Sequence, residues 1–94
     1  MDVRDLTARL EKNLATITTL SEQGDLPDEP FAMEFHRLCQ KFQSLASDDW
    51  YEEAEDFTHL ASQLCQAVKQ GRHQEGILLV DSLKDAFDYL STSL

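Results

Sequence analysis

The sequence predicts an all-α protein, an antiparallel up-down-up-down four-helix bundle built from two αα-hairpins. Apolar residues recur three and four positions apart through most of the chain, the spacing that lines one side of a helix rather than alternating across a strand. The residues that break helices, three glycines and two prolines, gather in two clusters, EQGDLPDEP around Gly24 and KQGRHQEG around Gly71. A chain of 94 residues suits one hydrophobic core, so residues 1–94 are read as a single domain.

The first helix carries the stripe Val3, Leu6, Leu10, Leu14, Ile17 and Leu20 and ends before Gly24, where a left-handed C-terminal residue is favoured. Asp28 is placed to cap the second helix, with Pro30 in its first turn and Phe31, Phe35, Leu38, Phe42 and Leu45 along its buried side. The polar run Ser47 to Asp49 marks the next break. Asp49 followed three residues later by Glu52 has the form of an N-cap with a capping box, and the acids Asp48, Asp49, Glu52 and Glu53 suit the positive end of a helix dipole. The third helix then carries Trp50, Ala54, Phe57, Ala61, Leu64 and Val68, and stops at Gly71. The fourth carries Val80, Leu83, Phe87, Leu90 and Leu94. Its start is the weakest: Arg72 and His73 stand where a good cap belongs and Gly76 follows closely, so a frayed or irregular turn is expected there.

Four one-sided helices with short connections close most economically as an antiparallel bundle, with aromatic side chains from the second, third and fourth helices at its centre. An internal echo supports the two-hairpin division. FHRLCQKFQSL, residues 35–45, aligns without gaps on VDSLKDAFDYL, residues 80–90, and Gln23-Gly24 answers Gln70-Gly71. Duplicated hairpins and chance helical periodicity both produce such an echo.

Composition excludes several function classes. Hydrophobic residues make up 41% and charged residues 28%, values typical of globular proteins. Eight Lys+Arg against 18 Asp+Glu give a formal charge of -10, which repels a phosphate backbone, so nucleic acid is not an expected partner. No apolar run approaches the roughly 18 residues of a membrane span, and MDVRDLTARLEKNL lacks the apolar core of a signal peptide. The reading is therefore a soluble cytoplasmic protein with no membrane partner. Cys39 and Cys65 are read as small hydrophobes at the core edge in a reducing compartment; a disulfide between them requires their helices to be neighbours.

Chemistry-bearing constellations are few. His36 and Cys39 are neighbours on one helix surface, but measured against Phe35, Leu38 and Phe42, His36 points to the solvated side and Cys39 to the flank. His59 and Cys65 share no face, so no metal site and no cofactor are expected. Gly-rich phosphate loops, G-x-S-x-G and H-E-x-x-H are absent. Glu52, Glu55 and His59 share the outer face of the third helix, where solvated acids keep ordinary properties, and no enzyme activity is assigned.

The closing stretch LCQAVKQG followed by LVDSLKDAF resembles the last hairpin of histidine phosphotransfer domains, and a histidine on the outside of a helical bundle resembles them in architecture. That resemblance implies a reactive imidazole followed closely by a Lys and a small or Gly residue. FHRLCQKF around His36 and FTHLASQL around His59 lack that pair, so no catalytic residue is carried over. A phosphotransfer-like signalling domain is the alternative reading.

The favoured reading is a non-enzymatic interaction module, a small acidic adaptor, chaperone or regulatory subunit. From Asp48 onward three Lys+Arg oppose ten Asp+Glu, while the first 47 residues hold five against eight. A helical projection around Leu83 places Leu78 and Tyr89 on the outer face of the fourth helix beside Asp81 and Asp85, and Met33 also points outward from the second. Leu78 and Tyr89, eleven apart, lie in line over three turns. Leu78, Asp81, Asp85 and Tyr89 are therefore the expected partner-binding residues, docking a helix of another protein or of a second copy in a homodimer.

Overall fold

Four helices form where the apolar periodicity places them: α1 Val3–Glu22, α2 Glu29–Ser44, α3 Tyr51–Gln70 and α4 His73–Ser93. The computed structural model describes residues 2–93, and Leu94, the last position of the expected fourth stripe, lies outside them. Helix α1 packs on α2, α2 on α3, α3 on α4, and α4 closes back onto α1, with no close backbone approach across either diagonal among the described residues. That is the ring of an antiparallel bundle in chain order. The α2–α3 and α3–α4 seams are the most extensive, and α1 is held more lightly on both sides.

The core follows the stripes. Leu6, Leu10, Leu14 and Ile17 of α1 meet Phe35, Leu38 and Phe42 of α2, Ala54, Phe57, Ala61 and Leu64 of α3, and Val80, Leu83, Phe87 and Leu90 of α4 in one buried cluster. Phe57 is its hub. Its ring meets Phe35 edge-on at 5.9 Å and Phe87 tilted at 5.7 Å, so aromatic side chains of three helices converge at the centre as expected. Val3, Phe31 and Val68, at the ends of their stripes, are only partly buried against this cluster. Thr58, the one buried polar residue among those described, donates from Oγ1 to the Ala54 carbonyl at 2.8 Å and lies 3.1 Å from the Cys39 carbonyl, so its burial leaves no orphaned group and ties α3 to α2.

Local signals explain most helix ends. The Asp28 side chain accepts from the Phe31 amide at 3.0 Å with Pro30 in the first turn, as the sequence predicts, and Asp2 caps α1 in the same way through the Asp5 amide. Gly24 and Gly71 adopt φ of 79° and 71°, and the amides that follow them bond back to Leu20 and Ala67 at 2.8 and 2.9 Å, closing both helices with left-handed turns that a side chain would strain.

Five expectations are corrected. The capping box at Asp49 and Glu52 does not form: α3 begins one residue later, its N-cap is Trp50, and no side chain caps it. The indole is drawn into the core against Phe42 at 5.0 Å, while the Trp50 amide closes a turn onto the Ser47 carbonyl, and Glu52 and Glu53 keep only their favourable place at the helix dipole. Leu45 is not a core residue; it stands at the α2 C-cap with 43% exposure because Trp50 fills the core position at that end. This breaks the echo with residues 80–90 at its last step, since Leu90 is fully buried. Cys39 is fully buried rather than on a flank, because α2 is gripped from two sides and its stripe widens to include Ala32. His36, at the border of that widened stripe, is half-buried rather than solvated.

The fifth correction concerns α4, which starts without an irregular turn. His73 Nε2 meets the Gly24 carbonyl, Arg72 pairs with Glu75 at 3.0 Å, and the Gly76 amide bonds the Arg72 carbonyl, so the first turn is tied to the neighbouring connection and to itself. Gly76 is buried under Leu26, whose Cδ1 lies 2.5 Å from where a Cβ would stand. What reads locally as a weak helix start is a notch for a leucine from the α1–α2 connection.

Candidate interaction surface

The run Ile77-Leu78-Leu79-Val80 cannot fit one face of a helix, since successive residues point about 100° apart. Val80 enters the core, Ile77 and Leu79 sit half-buried on the two flanks, and Leu78 is left outside with 67% of its surface exposed. Tyr89, three turns on, is 62% exposed, and Asp81 and Asp85 between them are exposed as well. All four residues singled out in the sequence thus share one outward face of α4, on the reverse of the Val80, Leu83, Phe87 and Leu90 seam.

The charge on this face is one-sided. The two ion pairs among the described residues, Arg37–Glu34 and Arg72–Glu75, leave Asp81 and Asp85 out. Lys84, the single Lys or Arg within α4, lies on the flank toward α1, where it borders a groove together with Glu11, Ala15, Thr18 and Asp88. Met33 is exposed on α2 as the projection predicts, 40% accessible and bordered by Glu29, Pro30 and Arg37.

A second surface was not foreseen. Leu45 and Tyr51 are each 43% exposed at the α2–α3 connection, and an open cleft there is lined by Val3, Arg4, Ala8, Glu11, Leu45 and Trp50. It forms where the first turns of α1 meet the shortened end of α2 and Trp50, a meeting that periodicity along single helices does not place.

The groups with chemical potential are dispersed. His36 is half-buried on α2, and its desolvation lowers its pKa, favouring the neutral ring. His59 is exposed on α3, with its Nε2 3.4 Å from the Gln63 amide nitrogen, and His73 is spent on the Gly24 carbonyl. No three His, Cys, Asp or Glu side chains among the described residues form a group able to hold a metal ion. Cys39 and Cys65 are free thiols on adjacent helices. Thr58 lies level with Cys39, so Cys65, seven residues along α3, is about 10 Å further down the axis, beyond the reach of a disulfide. Burial pushes the Cys39 thiol far up, so it stays protonated and inert.

No helix among the described residues is long and apolar enough to cross a membrane. Comparison of the chain with family models, curated proteins and solved structures finds no match.

Proposed function

We propose that the protein is a non-enzymatic interaction module, acting in the cytoplasm as an adaptor, chaperone or regulatory subunit, and that it binds a protein partner through Leu78, Asp81, Asp85 and Tyr89. One observation carries the reading: two large apolar side chains, 67% and 62% exposed, stand in register on the outside of a helix whose inner side is already committed to the core. Water-exposed single apolar residues need no explanation, but two in line, separated by carboxylates, form the anchors and polar surround from which binding sites are built.

Replacing Leu78 and Tyr89 by Ser tests the reading. Both positions are exposed, so the fold should survive, while partners recovered with the full chain at low salt should be lost. Unchanged recovery and unchanged sedimentation would mean the face is inert. The alternative, a phosphotransfer-like signalling domain, would use the exposed imidazole of His59. It calls for acid-labile phosphohistidine after incubation with a phosphorylated receiver domain, and the interaction reading expects none.

A further inference from the structure

Resting on that reading of α4, we propose that the face accepts a basic amphipathic helix rather than a second copy of this chain. Its two anchors project from one straight ridge about 16 Å apart, and a ridge of that form seats in the groove beside another helix lying nearly along it. A partner helix of three turns or more reaches both Leu78 and Tyr89 with one apolar stripe. Between the anchors stand Asp81 and Asp85, neither of them in either of the two ion pairs of the described residues. Lysines or arginines bordering the partner's stripe would therefore meet two carboxylates outside any ion pair, midway between the anchors.

A second copy has the wrong sign. Setting two α4 faces together about a twofold axis opposes the same aspartates to one another, each chain bringing a formal charge of -10. The nearby cations do not relieve this: Lys84 faces the α1 side and Arg72 is held by Glu75 at 3.0 Å. The apolar anchors alone would favour a homodimer; the charge between them selects a partner of opposite sign.

The test uses the full chain and two synthetic helical peptides of about 18 residues, each with leucines at positions that share one face. One carries lysine at every other position and its counterpart carries glutamate there. The lysine peptide should bind at least tenfold more tightly than the glutamate peptide, and added salt should weaken it. Leu78→Ser with Tyr89→Ser should cost its binding at least tenfold, and Asp81→Asn with Asp85→Asn should flatten the salt dependence. If the glutamate peptide binds as well, or the chain sediments as a dimer, and Leu78→Ser with Tyr89→Ser abolishes that association, the basic-helix inference fails while the α4 site stands. If no association responds to Leu78→Ser with Tyr89→Ser, the α4 site itself is refuted.

Discussion

At the end of the bundle that joins α1 to α2 and α3 to α4, two left-handed glycines close the helices, Leu26 fills the notch at Gly76, and His73 reaches across to the Gly24 carbonyl. At the opposite end α3 starts without a side-chain cap, α2 stops with Leu45 in solvent, and a cleft opens beside the first turns of α1. The first end is secured by many short-range backbone bonds and one fitted contact between connections. The second has its own turn bonds and a Gln43–Tyr51 side-chain bond at 3.2 Å, but no fitted contact between connections, and the large side chain it inserts into the core is Trp50, against Phe42 at 5.0 Å. A polar, acidic connection is no obstacle to order when one aromatic residue beside it enters the core.

The comparison is broken most directly at Trp50. Trp50→Ala should cost about 3–5 kcal/mol in urea unfolding, the range for removing a large core aromatic, and should leave the glycine-closed end the better protected in amide exchange. At the closed end, Gly76→Ala sets a helix-propensity gain of about 1 kcal/mol against displacement of Leu26, and crowding of this kind costs about 1–3 kcal/mol. A net loss of about 1 kcal/mol is expected, and the same change made on top of Leu26→Ala should instead stabilise; a loss in both backgrounds would show that Leu26 is not what the notch accommodates. The caps sharpen the contrast further. Asp28→Ala should cost about 1 kcal/mol, because its carboxylate accepts from the Phe31 amide, while Asp49→Ala should change stability by less than about 0.5 kcal/mol. Equal costs at the two positions would restore the capping box that the structure lacks.

The sequence made the four helices legible because each break combines glycine, proline or a polar run with a change in apolar phase. The α1 stripe reads correctly along its middle, where that lightly held helix buries one narrow edge of Leu6, Leu10, Leu14 and Ile17, while Val3 and Leu20 at the two ends of the stripe are only half-buried. Helix α2 reads less well. Its extensive seam with α3, added to that with α1, buries Ala32 and Cys39 as well, and the residues decisive for that width lie on other helices. Gly76 fails to read for the same reason, since a notch is recognised only with its leucine; Trp50, by contrast, is buried as its place in the α3 stripe predicts, and only its role as N-cap fails to read. The outward face of α4 was legible because it depends on one helix alone: four consecutive apolar residues force one of them outward whatever the neighbours do. The cleft by Val3 and Leu45, which needs three segments to meet, was not.

Trp50 is also the chain's single tryptophan, 9% exposed and situated at the less secured end. Its emission is therefore an intrinsic optical gauge of that end alone. A red shift that precedes any loss of far-ultraviolet ellipticity would time the loosening of the α2–α3 junction against the melting of the helices, with no label attached.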